Sequence, residues 1–143
     1  MEAVIKAICI SEMRGTIKKD IKEAELIEDF GIKDDAHAGK WHRQISLLSY
    51  ERVEEFRKRG ASVTDGSFGE NILAEGIDFK TLPVGTKLEC GEVLLEVTQI
   101  GKKCHSECDI FKMVGDCIMP REGIFAKVLH GGKLKSGDKL YVL

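Results

Sequence analysis

Three of the five cysteines, Cys104, Cys108 and Cys117, fall within residues 101–123, together with His105, Pro120 and Arg121. Lys102 and Lys103 lead into the stretch. A thiolate is both a soft metal ligand and a nucleophile, and neighbouring cations favour its ionised form. Cys104 and Cys108 are four residues apart. On a helix they share one face, with Cβ atoms about 5–6 Å apart. A disulfide needs roughly 3.5–4.5 Å, so a bridge inside a regular helix is disfavoured. Two thiols at that spacing suit one soft metal or one sulfur-containing ligand. The pattern is poor for structural zinc, because it lacks a C-x2-C pair and a matching second pair. Arg121 has the planar fork that recognises phosphate or carboxylate, with an ion pair to Glu122 or Asp116 as the competing use.

Two polar loops are the other places where chemistry could gather. Residues 34–43 hold Asp34, Asp35, His37, Lys40, the single Trp41, His42 and Arg43. Residues 65–71 hold Gly66, Gly69, Glu70 and Asn71. His37 and His42 have no recognised metal-binding spacing and read as exposed loop residues. Cys9 sits in an apolar run and reads as a small core residue. Cys90 and His130 are assigned no role. No phosphate-binding P-loop, dinucleotide fingerprint or nucleophile elbow occurs.

Composition narrows the classes of partner. A formal net charge of -2, from 22 basic and 24 acidic side chains, excludes a broadly basic surface. Nucleic acid and anionic membranes are therefore not expected partners. No run of about 18 apolar residues suggests a membrane span. The N-terminal residues lack the features of a secretion signal. An odd cysteine count fits free thiols better than a disulfide framework. A single cytoplasmic domain over residues 1–143 is expected.

The elements that must position these residues are mostly strands. Residues 3–10 and 44–48 read as buried strands, separated by a loop at 11–19 and an ambiguous segment at 21–32. In that segment Ile21, Ala24 and Ile27 fit a helical stripe while Leu26 and Ile27 fit a short strand, and propensity alone slightly favours helix. Ser49 is a plausible N-cap for a helix at 50–59 with Tyr50, Val53 and Phe56 on one face. Arg57, Lys58 and Arg59 suit its C-terminal turn as a solvated end, and Gly60 suits the residue after it. Ile72 and Leu73 open a strand that Gly76 closes. The form Leu-x-x-Gly-x-x-Leu occurs at 82–88 and again at 134–140, each time leading into a β-rich segment. Strands are predicted at 93–98, 124–129 and 141–143. The pattern predicts a mainly β domain, a β-rich barrel with a few short helices.

Four segments in order resemble the MOSC domain, the module similar to the C-terminal domain of molybdenum cofactor sulfurase. They are Asp-Asp-Ala-His-Ala-Gly (34–39), Gln-Ile-Ser-Leu-Leu-Ser (44–49), Gly-Ser-Phe-Gly-Glu-Asn-Ile (66–72), and the run from Gly101 to Gly123 with Val128-Leu129 and Gly137-Asp138 beyond it. The small bacterial stand-alone type is the nearest match. The resemblance implies a β-rich barrel and a functional cysteine late in the chain. In members that bind the pyranopterin molybdenum cofactor that cysteine is linked to the metal, and in the sulfurase context it is proposed to carry sulfur. Cys108 matches its position best, because Ile110 and Phe111 follow, and Cys104 competes. Lys103, Arg121, Lys40 and Arg43 become candidates for the cofactor phosphate. Asp35, His37, Gly69, Glu70 and Asn71 become candidate walls of the same site. The implied role is cofactor handling or sulfur transfer, or the cofactor-bearing part of a reductase. The implied partners are molybdenum cofactor biosynthesis proteins or a redox partner. Two alternatives stay open: a non-enzymatic docking module for such proteins, and a thiol redox or zinc protein.

Overall fold

Alternation of buried and exposed side chains sets the architecture. The structure is a computed structural model, and it describes residues 2–14, 16–58, 60, 63–101 and 123–143. Strand β1 spans Glu2–Ile10, β5 Ile45–Ser49, β6 Ile72–Glu75, β7 Lys87–Cys90, β8 Val93–Ile100, β9 Ile124–His130 and β11 Lys139–Val142. These seven hydrogen-bond in the order β11-β7-β8-β9-β5-β6-β1, and β1 pairs back onto β11 to close a barrel. Closure leaves no free edge among them. The short β2 (Lys19–Asp20) pairs with the last residues of β1, Cys9 and Ile10.

Every neighbouring pair in the barrel is antiparallel except β5 and β6, which run parallel. A parallel pair needs a crossover, and helix α1 (Tyr50–Lys58) supplies it. The helix also explains why all five residues of β5 are buried. Ile45 and Leu47 pack with Ile5, Ile72, Leu95, Val97 and Ile124 in one core. Leu48 turns the other way, into a second core with Val53, Phe56, Phe68 and Leu73. A bulge in β1 between Ile5 and Ala7 shifts its alternation. Ile8 thereby joins the first core with Ala3 and Ile5, while Ala7 and Cys9 enter the second.

The β-rich barrel expected from sequence is what forms, with α1 and a short 3-10 turn at Phe79–Thr81 as the described helices. Residues 21–32 depart from the helical expectation. They form β3 (Glu23–Ile27) and β4 (Gly31–Ile32), and with β10 (Gly132–Lys135) they make a separate sheet in the order β10-β3-β4. Leu26 is buried while Glu23, Glu25 and Ile27 are exposed, a period of two. Pairing of Ala24 with Leu134 outweighs weak helix propensity. Positive φ at Asp29 and Gly31 turns the chain between the strands. The two Leu-x-x-Gly-x-x-Leu segments have a structural counterpart. Gly85 and Gly137 both take φ near the same positive value, 95° and 97°, and lead into β7 and β11. Those two strands pair with each other.

Ser49, expected as a helix cap, instead donates its hydroxyl to the Ile77 carbonyl (2.6 Å) and accepts from Phe79 N (3.2 Å). Arg57 is not a solvated helix end: it donates to the Val63 carbonyl and pairs with Glu54 and Asp65. His130 is the exposed end of β9, and its Nδ1 lies 2.7 Å from the Glu92 carbonyl. No described helix is long and apolar enough to cross a membrane.

Candidate functional site

The site is built where β8 and β9 end together. Ile100 pairs with Ile124, and Gly101 N donates to the Gly123 carbonyl at 2.7 Å. The cysteine-bearing stretch therefore leaves and re-enters the barrel at one point. Cys104, Cys108, Lys103 and Arg121 lie outside the described residues, as do His105, Cys117 and the helix considered around them.

The second half of the 34–43 loop is fastened to that mouth. Gln99, near the end of β8, is the fastener. Its Oε1 lies 3.0 Å from Arg43 Nε and 2.9 Å from His42 Nε2, and its Nε2 donates to the Gly101 carbonyl at 2.8 Å. The Thr98 hydroxyl donates to the His42 carbonyl. The Arg43 guanidinium lies over the Phe125 ring, 5.1 Å from its centroid. Its terminal N–H groups have no partner among the described residues. Lys40 is exposed nearby in sequence. Trp41 donates to the His37 carbonyl at 2.8 Å, its ring lies parallel to the His37 ring, and Arg14 sits over it at 4.6 Å. Arg14 Nε also donates to the Ala36 carbonyl. The rim thus carries Arg14, Lys40 and Arg43 beside His42, a concentration of cations on a chain with no overall positive charge.

The first half of the same loop is anchored inside. Asp35 is 7% exposed, and its Oδ1 receives Lys18 Nζ at 2.7 Å and Ser11 N at 3.1 Å. Its Oδ2 receives Asn71 Nδ2 at 3.0 Å and His37 N at 3.2 Å. Both side chains of the Lys18–Asp35 pair are fully buried. Lys18 Nζ also donates to the Ser11 hydroxyl. Asn71 binds on every side: its Nδ2 reaches the Cys9 carbonyl, and its Oδ1 accepts from Ser46 N and the Ser46 hydroxyl. Buried polar groups with all valences met rigidify what they connect.

Glu70 lies beside this network but is held differently. It is completely buried, and its two oxygens accept from Gly66 N (2.9 Å) and Phe68 N (3.0 Å). Burial pushes its carboxyl up from 4.5 to about 7, against the pull of those N–H donors, with Asp65 adding a small further rise. Gly69 has φ of 74°, which lets the turn fold back so that Glu70 reaches its own preceding amides. Asp35, Glu70 and Asn71 therefore hold loops rather than line a surface. All three are buried, a depth their polar sequence context does not reveal. Sequence inspection missed Lys18, Gln99 and Arg14 altogether. Lys18 carried no pattern, being one of two adjacent lysines in a loop, and Gln99 was hidden in a strand.

The chemistry of the donor set decides what could be held here. Among the described residues no group of three or more His, Cys, Asp and Glu is arranged for a metal. Cys9 and Cys90 are buried. Burial, then Glu70, drives the Cys9 thiol far upward, and burial, then Asp138, pushes Cys90 up to about 11. Neither offers a thiolate near neutral pH. The rim cations do fit the anionic end of a phosphorylated pterin.

Comparison with known proteins agrees with this frame. A MOSC domain family model matches residues 34–141. The fold is similar to the YuaD protein from Bacillus subtilis, with a TM-score of 0.79 at 18% identity over 98% of this chain and 94% of that one. It is also similar to YiiM from Escherichia coli, with a TM-score of 0.68 at 19% identity over 100% and 70%. For YiiM from Geobacillus stearothermophilus the TM-score is 0.68 at 18% identity over 99% and 73%. No curated protein shows a sequence match to the chain. The family match spans both the fastened loop and the cysteine stretch, and this chain belongs to the MOSC domain family.

Proposed function

We propose that this domain binds the molybdenum cofactor, or a sulfurated intermediate of it, through Cys108, with Cys104 as the competing donor. The family is linked to molybdenum cofactor binding. The observation that carries the reading is the fastening of Arg43 and His42, through Gln99, to the backbone where the cysteine stretch begins and ends. On this reading Arg43 and Lys40, with Lys103 and Arg121, take the phosphate, while Asp35, His37, Gly69, Glu70 and Asn71 hold the surrounding loops. A bound cofactor supplies redox or sulfur-transfer chemistry, and the protein supplies orientation and charge. The domain then acts in the cytoplasm in cofactor handling, or as the cofactor-bearing part of a reductase. Its partners are cofactor biosynthesis proteins or a redox protein.

The test is molybdenum and pterin content after expression in a host with an intact cofactor pathway. Wild type is expected to carry both, Cys108→Ser to lose the metal, and Cys104→Ser to keep it. Equal molybdenum in wild type and Cys108→Ser, or none in either, removes the ligand role. Loss only with Cys104→Ser transfers the role to that residue.

A further inference from the structure

We infer that the buried carboxyl of Glu70 is a proton-dependent latch that sets how firmly the 34–43 loop is held. The latch is a property of the polypeptide alone, independent of the cofactor reading, and it is tested on the chain without added cofactor.

Glu70 has no surface exposure, and its described hydrogen bonds come only from the backbone of its own turn. No ion pair involving Glu70 occurs among the described residues. The charged and titratable groups around it do not compensate. Asp65, on the same turn, is negative and is tied to Arg57 of α1 at 2.6 Å. The Cys9 thiol of β1 feels Glu70, Asp20, Asp65 and Lys18 together. Lys18, the one buried cation among the described residues, is committed to Asp35. A buried carboxyl in that setting is held most comfortably when neutral. Any opening of the turn that wets Glu70 is therefore favoured by its ionisation, and the proton leaves to solvent.

The turn is mechanically joined to the rim. The Gly66 carbonyl accepts from Lys18 N at 2.9 Å. Gly66 has φ of 93°, and a Cβ there would stand 2.1 Å from the Lys18 carbonyl oxygen, so the two backbones are in direct contact. Lys18 Nζ holds Asp35 Oδ1, Asp35 Oδ2 holds His37 N, and the His37 carbonyl holds Trp41 Nε1. Each step is a single hydrogen bond or backbone contact. Loosening the Glu70 turn removes the floor under Lys18, and with it the inner anchor of the loop that carries Arg43.

Amide hydrogen exchange read residue by residue by NMR, corrected for the intrinsic pH dependence, tests the latch. Opening at Gly66 and Phe68 is expected to rise roughly tenfold or more from pH 5.5 to pH 8. His37 N is expected to follow, and Glu70→Gln is expected to remove the pH dependence. The emission of the single Trp41 gives a second reading. His37 and His42 lie beside it in both proteins, so the wild-type minus Glu70→Gln difference isolates Glu70. Where Glu70→Gln does not fold, the carboxyl 13C shift of Glu70 in wild type stands in for it and must move together with the Gly66 and Phe68 amides. Opening that is flat with pH, or a Glu70 carboxyl that titrates below pH 5, overturns the latch. Opening at Gly66 and Phe68 without any change at His37 or Trp41 overturns its connection to the loop.

Discussion

Asp35 and Glu70 are two buried acids in adjoining loops, and they are solved differently. Asp35 meets a lysine, the backbone amide of Ser11 just after β1 and an asparagine from three other parts of the chain. Glu70 meets only the amides of its own turn. The first arrangement ties distant segments together around a buried ion pair. The second folds a turn on itself and leaves its carboxyl without a cation among the described residues. Long-range pairing therefore makes the Asp35 region the fixed point of the loop system, and self-contained capping makes the Glu70 region the adjustable one.

The largest effect separating them is expected at Lys18. Lys18→Met leaves Asp35 buried without a cation, and removal of one partner from a buried pair costs about 3–5 kcal/mol. Urea unfolding should show this as a lowered midpoint. The double variant Lys18→Met with Asp35→Asn should recover most of the loss, because it leaves no unpaired charge. A single variant within 1 kcal/mol of wild type by order of magnitude would remove Asp35 as the fixed point.

Glu70 gives the next effect, with a pH signature. Its folded carboxyl sits at about 7 against an ordinary 4.5. A raised folded value means that the stability it contributes is full below 4.5 and is lost as pH rises through about 7. The loss over that window is on the order of 3 kcal/mol. Other carboxylates titrate in the same scan, so the quantity to measure is the difference between wild type and Glu70→Gln. That difference should shrink and change sign in favour of the glutamine variant as pH rises. A difference constant from pH 4 to pH 8 is the outcome against it.

Gly66 tests the contact between the two regions. Gly66→Ala carries the strain of positive φ, roughly 1–3 kcal/mol, and also the overlap with Lys18. Gly85→Ala is the matched control, since its φ is 95° and nothing stands within 4 Å of its added Cβ. Thermal unfolding should place Gly66→Ala well below Gly85→Ala. Equal losses would mean that the turn is not pressed on Lys18.

Much of the barrel was legible because its strands alternate or run apolar, and because glycines mark the turns. The segment at 21–32 was ambiguous because Ile21, Ala24 and Ile27 fit a helical stripe while Leu26 and Ile27 fit a short strand, and only the partner strand Gly132–Lys135, far away in sequence, decides between them. The resemblance makes Gly69, Glu70 and Asn71 candidate walls of a site, while the structure buries Glu70 and Asn71. Polarity does not reveal depth: a glutamate capping its own turn and an asparagine bridging strands read in sequence like residues facing a ligand. Lys18 and Gln99 were invisible for the same reason in reverse, since their importance lies entirely in what they touch. The loop that carries the rim arginine, Arg43, was legible as a loop, because its run of polar and charged residues leaves little to bury.

That rim supplies the smallest effect on stability and the sharpest contrast with the interior. Arg43 holds its place by one hydrogen bond to Gln99 and by the face of Phe125. Its replacement by alanine should lower stability by only about 0.5–1 kcal/mol, the range of a partly exposed cation–π contact. A buried anchor such as Lys18 is expected to cost several times more. The functional consequence should run the other way. If the rim takes a phosphate, Arg43→Ala weakens binding of inorganic phosphate or of the phosphorylated pterin while the fold persists, and Arg43→Lys restores charge without the fork and recovers only part. Titration calorimetry with phosphate at low salt, alongside a melting curve for each variant, separates the two. Phosphate binding unchanged in Arg43→Ala would move the anion site away from this rim and leave Arg43 as a bracket for Gln99.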